Sequence, residues 1–189
     1  MNLKTFWEKW KNTFCLSFSA GFICLFLIQQ TVFILYDTAP WFTDSNIIRA
    51  MEFHRLFSGQ IDRFPIYPYP PLQYMLTQIP FALSGISLLS ARLLMIPFML
   101  IFLLAMFGIG RKLSGNYGGI AVMALAAASA HIIIYSRHYF LEFPQTAMTA
   151  LSFHYLLKCD GFKNRRDSII FGIVMSIAFW IKWSTGVFM

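Results

Sequence analysis

The run FCLSFSAGFICLFLIQQTVFILY, residues 14–36, decides what kind of fold this chain can form. It holds about 23 residues without one charged side chain. An α-helix of about 20 apolar residues is long enough to cross a hydrocarbon core of about 30 Å. Lys4, Lys9 and Lys11 precede the run without a clear small-residue cleavage site. We therefore expect a retained first span rather than a cleaved signal peptide.

The composition of the whole chain is typical of a membrane protein. Of its 189 residues, 58% are hydrophobic and 12% are charged, whereas about 25% of the residues in soluble domains are charged. The net charge of +7 does not indicate nucleic-acid binding, because Lys and Arg gather in the cytoplasmic loops of membrane proteins. Cys15, Cys24 and Cys159 lack the spacing of a disulfide framework or metal site. The four histidines show no ligand-like pairing either, so the sequence predicts no metal site.

Further apolar runs predict a polytopic bundle of transmembrane helices. The alanine-rich run at 117–135 supplies small residues that let helices approach closely in lipid. The run at 143–158 is short for a span, and whether it crosses fully is left open. The predicted fold class is all-α, a transmembrane helix bundle with spans at 14–36, 88–110, 117–135, 143–158 and 168–188.

The basic residues outside the spans predict the topology, because cytoplasmic loops carry an excess of Lys and Arg. If the helix-like segment 72–83 crossed the membrane, the three basic clusters would not all lie on the same side. We therefore predict a cytoplasmic N-terminus, one long external loop at 37–87, and interfacial helices within that loop. The three clusters are Lys4, Lys9 and Lys11; Arg111 and Lys112; and Lys158, Lys163, Arg165 and Arg166.

The corner YPYPPL, residues 67–72, introduces the interfacial segment. Proline fixes φ and donates no hydrogen bond, so Tyr69 and Pro70 cannot lie inside a helix. Pro71 is tolerated in the first turn of a helix, where its missing N–H would have no partner anyway. The corner predicts a stiff, extended lead into a helix at the membrane surface.

Charged residues at the outer ends of the spans are candidates for a functional site. Arg92, Arg137 and Lys182 each lie at or inside the end of an apolar run, at a common depth. They could bind a lipid phosphate through charge-assisted hydrogen bonds, or reach the headgroups as ordinary interfacial side chains. For loop residues such as Arg49 and Glu52 we expect a solvated surface instead.

An ordered set of motifs runs along nearly the whole chain. The set is WFTDSNIIRAMEFHRLFSG (41–59), YPPL (69–72), SARLL (90–94), GRKLSG (110–115), SRHYFLEFPQTAMTA (136–150) and WIKWS (180–184). This order resembles the N-terminal half of the GT-C superfamily of integral-membrane glycosyltransferases. The nearest likenesses are the protein O-mannosyltransferases and the lipid A aminoarabinose transferases.

The resemblance implies a reaction and places residues in it. Enzymes of this superfamily transfer a sugar from a polyprenyl phosphate to a glycan, lipid or protein acceptor at the outer face of the membrane. Asp44 corresponds to the loop acid that acts as base on the acceptor, and Glu142 to a second acid after the third span. Tyr69, Pro70 and Pro71 would shape one wall of the active-site cleft.

The chain departs from the family pattern at both acids. The family often has Asp-Glu in the loop, where this chain has Asp44 followed by Ser45. The family usually has Asp-Pro after the third span, whereas in this chain one residue separates Glu142 from Pro144. From the residues alone, Asp44 could equally cap the helix that follows it. The resemblance favours catalysis.

Two classes of function are left open. The first is a glycosyltransferase with a polyprenyl-phosphate sugar donor, and this chain is expected to be its N-terminal part, truncated or split, because the family has more spans. The second is a non-catalytic membrane subunit or transporter fragment, which should carry ionisable groups near the bilayer midplane. The middles of these spans lack carboxylates, which favours the enzyme. We expect a bacterial plasma membrane, contacts with membrane lipids, no nucleic acid and no cofactor, with a divalent metal ion left open.

Overall fold

The computed structural model describes residues 3–37, 46–63 and 69–188. Over these ranges the chain is helical and contains no strand, which confirms the predicted all-α class. The helices are α1 (Leu3–Tyr36), α2 (Asn46–Phe57), α3 (Leu72–Leu76), α4 (Gln78–Ser84), α5 (Leu88–Leu93), α6 (Met95–Ala127), α7 (Ala130–Tyr135), α8 (Glu142–Lys158) and α9 (Arg165–Ile181), and a 3₁₀ turn covers Trp183–Phe188.

Two helical stretches, Glu8–Tyr36 and Leu88–Ala127, are long and apolar enough to cross a membrane. The first lies in α1 and contains the predicted span at 14–36. It exposes large apolar side chains along its length, such as Leu25 at 69% and Ile28 at 60%. Contiguous apolar surface of this kind marks contact with a membrane or another protein. The helices therefore point to membrane association.

The helix α6 is a hairpin of two arms, 95–113 and 116–127. Ser114 leaves helical geometry at φ −140°, and Gly115 takes φ +73°, a left-handed conformation that glycine adopts without a Cβ clash. The arms cross where their backbones touch, since a Cβ on Gly110 would lie 2.4 Å from a carbonyl oxygen of the second arm. Small residues permit such an approach. The turn falls between the second and third predicted spans.

The run 117–135, which we predicted to be one span, is not one helix. The second arm of α6 ends at Ala127 and the short helix α7 begins at Ala130. Ser129 between them has an extended backbone with ψ +126°. The break therefore falls at the first polar residue after the alanine-rich run.

The core forms where α8 packs against both α6 and α9. Phe102 of α6 and Phe143 of α8 lie with their ring centroids 5.9 Å apart. Ala147 of α8 and Ala178 of α9 are fully buried, and their small side chains let the two helices come close. Many dispersion contacts, each worth about 0.1–0.2 kcal/mol, hold helices packed in this way. This packing fixes how the first turn of α8 faces the end of α9.

Contacts between helix termini show which termini lie together at each of the two ends of the bundle. At the first, Asn116 donates a hydrogen bond to Asn12, and Lys158 lies 3.4 Å from Asp167. We call it the basic end, because the described members of all three basic clusters lie within a few residues of these contacts. The side of a membrane on which it lies is a prediction. We call the opposite end the Glu142 end; it comprises Asp37, Arg92, the segment 136–142 and Lys182.

The predicted interfacial segment 72–83 forms the short helices α3 and α4, which meet at Thr77. Pro71 immediately precedes α3, and its carbonyl accepts the first helical hydrogen bond at 3.0 Å, as expected of proline at a helix start. Gln73 donates to the Phe140 carbonyl at 3.1 Å. The proline corner is thereby attached to the loop that leads into α8.

Candidate functional site

Lys182 and Glu142 form an ion pair at the Glu142 end of the bundle. The Lys182 ammonium group donates to Glu142 Oε1 at 2.6 Å. The lysine side chain is 17% exposed and the glutamate side chain 47%, so the pair lies at the rim of the bundle. The sequence singled out both residues, one for phosphate binding and one for catalysis, and the structure brings them together.

A buried threonine cap sets the position of Lys182. The helix α9 ends at Ile181, and Lys182 takes an extended backbone with φ −155° and ψ 126°. The Thr185 hydroxyl, which is fully buried, bonds to the carbonyls of Ala178 at 3.1 Å and Lys182 at 2.8 Å. Both carbonyls also accept a backbone N–H, Ala178 from Lys182 and Lys182 from Thr185. The hydroxyl therefore adds a second hydrogen bond to each carbonyl at the point where Lys182 leaves the helix.

Tyr69 of the proline corner lies near two cations. The Lys182 ammonium nitrogen is 5.7 Å from the centroid of the Tyr69 ring, and the Arg49 guanidinium carbon is 5.4 Å from it. A cation near an aromatic face is attracted by the ring quadrupole. The next residue, Pro70, is buried, and Pro71 immediately precedes α3. Of the three predicted cleft-shaping residues, Tyr69 therefore lies beside the ion pair, while the role of all three in a cleft stays a prediction.

Arg49 does not lie on a solvated surface, and that expectation was wrong. It donates to the Tyr74 hydroxyl at 3.3 Å and to the side-chain oxygen of Asn46 at 3.3 Å. Tyr74 is fully buried; burial raises its pKa, and the hydrogen bond from Arg49 acts in the opposite direction. Phe53, which is buried, lies four residues after Arg49. That helical spacing places Arg49 on the inner face of α2 and was the missed signal.

A cavity of about 580 Å³ opens beside the ion pair. Glu142 and Lys182 stand at its charged end, and it follows α8 as far as Ala150, eight residues or about 12 Å along the helix. Phe102 and Met106 of α6 supply an apolar wall. The cavity is therefore charged at one end and apolar along its length.

The wall of this cavity that α8 supplies is a polar stripe. Gln145 donates to the Ser184 hydroxyl at 3.0 Å, which connects α8 to the turn after α9. The Thr149 hydroxyl is buried and makes no hydrogen bond with the described residues. Glu142, Gln145, Thr146 and Thr149 follow helical spacing along one face. We did not single out the last three from the sequence, although their i, i+3, i+4, i+7 pattern was the signal that could have identified them.

Arg92 is buried in the bundle and does not line the cavity. Its side chain is 1% exposed, and its guanidinium group donates to the Asp37 backbone carbonyl and lies 3.7 Å from the Asp37 carboxylate. A buried cation needs a partner, because removing it from water costs several kcal/mol. Arg92 therefore joins the end of α1 to α5.

Arg137 belongs to the same group as Arg92. Its Nε donates to the Gln30 side-chain oxygen at 2.8 Å, and its guanidinium carbon lies 4.0 Å from the centroid of the Phe33 ring. Burial lowers the pKa of Arg137, and the Asp37 carboxylate acts in the opposite direction. The three predicted phosphate-binding residues thus form two groups, Arg92 with Arg137 around Asp37, and Lys182 with Glu142.

Asp44, the predicted catalytic base, lies outside the described residues, so its role stays a prediction. Asp37 and Gln30 are residues of the site that sequence reasoning did not single out for a role. Gln29 and Gln30 interrupt a largely apolar span, and a polar side chain in such a run usually faces the interior of a bundle. That was the available signal.

No family model, no curated protein and no solved structure matches this chain. The resemblance to the GT-C superfamily stays a prediction that rests on the ordered motifs. Fold and site together define a coarser class. Over the described residues the chain is all-helical, with two helical stretches long and apolar enough to cross a membrane and a cavity that is charged at one end.

Proposed function

We propose that this chain is the N-terminal part of a membrane glycosyltransferase that uses a polyprenyl-phosphate sugar as donor. The observation that carries the proposal is the Lys182–Glu142 pair at the charged end of a cavity with an apolar wall. A cation at that position suits a phosphate. The Phe102 and Met106 wall suits the first isoprene units of the donor.

The proposed topology makes the bundle polytopic. In it, five segments cross the bilayer, namely α1, the first arm of α6, the second arm of α6 together with α7, α8, and α9. The helices α2 to α4 lie along its outer surface. The N-terminus and the basic end face the cytoplasm, in line with the excess of Lys and Arg in cytoplasmic loops. The Glu142 end then faces outward, where a lipid-linked sugar and an external acceptor meet.

Lys182 would bind the donor phosphate. A phosphate oxygen and a carboxylate oxygen are comparable acceptors for an ammonium group, and both make charge-assisted hydrogen bonds with it. The donor phosphate would therefore compete with Glu142 for Lys182. A Glu142 carboxylate released in this way is available to accept a proton.

The reaction would be a displacement at the anomeric carbon of the sugar. The bond between that carbon and the phosphate oxygen breaks, and polyprenyl phosphate leaves with the electron pair, its charge neutralised by Lys182. The acceptor oxygen bonds to the anomeric carbon and passes its proton to a carboxylate, either Asp44 or Glu142. The anomeric carbon exchanges its bond to a phosphate oxygen for a bond to the acceptor oxygen, so its oxidation state does not change and the transfer needs no oxidant or reductant.

Binding of polyprenyl phosphate to the purified chain in detergent tests the proposal. We expect Lys182→Gln to weaken binding about 10- to 100-fold, because it removes a charge-assisted hydrogen bond worth about 1.5–3 kcal/mol. Glu142→Gln should not weaken binding, since it removes a competitor for Lys182. Lys163→Gln, an exposed residue at the basic end, is the matched control.

Two results would refute the proposal. One is unchanged affinity in Lys182→Gln, and the other is an equal loss in Lys163→Gln. If the binding test supports the proposal, a second assay measures the release of polyprenyl phosphate from donors that carry mannose or aminoarabinose. Release indicates an enzyme, whereas a non-catalytic subunit binds the donor without turnover.

A further inference from the structure

A second cavity, of about 580 Å³, lies at the basic end of the bundle. The first arm of α6 and the C-terminal end of α8 form its walls, and it shares no lining residue with the cavity beside Glu142. Arg111 and Lys112 contribute two cationic side chains, and Lys158 contributes a third. Nothing in the proposed glycosyl transfer uses these residues.

The positive charge of this cavity is only partly neutralised. Lys158 lies 3.4 Å from the Asp167 carboxylate. Within residues 3–37, 46–63 and 69–188, neither Arg111 nor Lys112 forms an ion pair. A cation near a helix C-terminus is stabilised by the helix dipole, and this effect accounts for the position of any one of these three cations. That effect does not explain why cations from two helices line one cavity.

Gly108 and His154 bring the two walls of the cavity together. A Cβ on Gly108 would lie 2.4 Å from the ring of His154, so only glycine leaves room for that ring against α6. The His154 ring therefore closes the inner wall of the cavity between the two helices. Its imidazole adds a further polar group beside the three cations.

The part of the α6 wall that lies away from the charged residues is apolar. Leu104 is 50% exposed and lies eight residues before Lys112, which corresponds to about 12 Å along the helix. Phe107 lines the cavity between them. The cavity therefore carries positive charge near the end of the bundle and an apolar surface towards its middle. A free phosphate ion would leave the apolar part without a partner, whereas a phospholipid matches both parts.

We infer that this cavity binds an anionic phospholipid, with its phosphate and headgroup at Arg111, Lys112 and Lys158 and an acyl chain along Leu104 and Phe107. Basic pockets between helices on the cytoplasmic side of membrane proteins bind acidic headgroups in this way. Because the site shares no residue with the Glu142 end, the inference does not depend on the proposed glycosyl transfer.

Lipid binding to the purified chain in detergent tests the inference, with phosphatidylglycerol as the anionic probe and phosphatidylcholine as the neutral one. Native mass spectrometry counts the bound lipids as the lipid concentration rises. We expect phosphatidylglycerol to bind in preference. The double variant Arg111→Gln with Lys112→Gln should lose about 30-fold in affinity, at about fivefold for each charge removed. Both residues are exposed, so folding, followed by circular dichroism, should be unchanged.

Two matched variants and one competitor make the result decisive. The charge-conserving variant Arg111→Lys with Lys112→Arg should keep the preference. The variant Lys163→Gln with Arg165→Gln removes two exposed charges from the same end outside the cavity, and should keep it too. Equal binding of both lipids, or an equal loss in the Lys163 and Arg165 variant, would overturn the inference. Inorganic phosphate that displaces the lipid at the same concentration would also overturn it, because the site would then recognise free phosphate.

Discussion

Lys182 and Glu142 lie 40 residues apart in the chain, yet their side chains share a hydrogen bond of 2.6 Å. They meet because the two helices pack side by side, so that the first residue of α8 lies beside the C-terminal end of α9. An exposed ion pair contributes only about 0.2–1 kcal/mol to stability. The place of this pair at the charged end of a cavity is therefore more informative about function than about folding.

A double-mutant cycle on this pair should show weak coupling. We expect Lys182→Gln, Glu142→Gln and the double variant to give a coupling free energy of about 0.5 kcal/mol, because Glu142 is 47% exposed and water screens the pair. Thermal unfolding in detergent measures it. A coupling of several kcal/mol would show that the pair is a structural element, and would weaken its assignment to donor binding.

Arg92→Gln should destabilise the fold by about 3 kcal/mol, far more than Lys182→Gln. Arg92 is 1% exposed and pairs with Asp37, and the loss of one partner of a buried pair leaves the other charge uncompensated. The unfolding midpoint in detergent measures the difference. The exposed Arg63→Gln serves as control. An Arg92→Gln variant as stable as this control would contradict the conclusion that Arg92 joins α1 to α5 through a stabilising buried ion pair.

The glycine crossing within α6 should not tolerate a methyl group. Gly110→Ala would place a Cβ 2.4 Å from a backbone oxygen, and such overpacking costs about 1–3 kcal/mol. Gly21→Ala in α1 meets nothing within 4 Å and should stabilise its helix by about 0.5–1 kcal/mol. Opposite shifts of the unfolding midpoint are the expected outcome. Equal shifts in both variants would contradict the close contact of the two arms.

Turnover should distinguish the two candidate bases. Asp44→Asn keeps a helix cap but cannot accept a proton, so a catalytic Asp44 predicts a loss of about 10²–10⁴-fold in the release of polyprenyl phosphate. Glu142→Gln is the parallel variant at the other acid. Donor binding should survive in both. Near-normal turnover in Asp44→Asn, with a loss in Glu142→Gln, would move the role of base to Glu142.

Cysteine labelling tests the proposed topology. In a Cys24→Ser background, Leu113→Cys and Lys163→Cys at the basic end should react with an impermeant probe from the cytoplasmic side. Glu142→Cys should react from the outside. All three positions are exposed. If position 113 labelled from the same side as position 142, the two arms of α6 would not form a hairpin within the membrane.

The helical class and most helix positions could be predicted from the sequence. Long uncharged runs require helices of membrane length, and the apolar runs at 14–36 and 143–158 lie in α1 and α8. The proline corner also has a local cause: Pro71 precedes a helix because its ring fixes φ and its missing N–H costs nothing there. These properties depend on neighbouring residues, so the sequence contains them.

Only the tertiary structure decided which charges meet. Arg92, Arg137 and Lys182 looked equivalent along the chain, since each lies at the end of an apolar run. The rotation of each helix about its axis then placed Arg92 inside against Asp37 and Lys182 at a cavity beside Glu142. That rotation depends on contacts between residues far apart in sequence, such as Phe102 with Phe143. Hydrophobic patterning determines that a helix forms, whereas side-chain packing between helices determines which partner each charge finds.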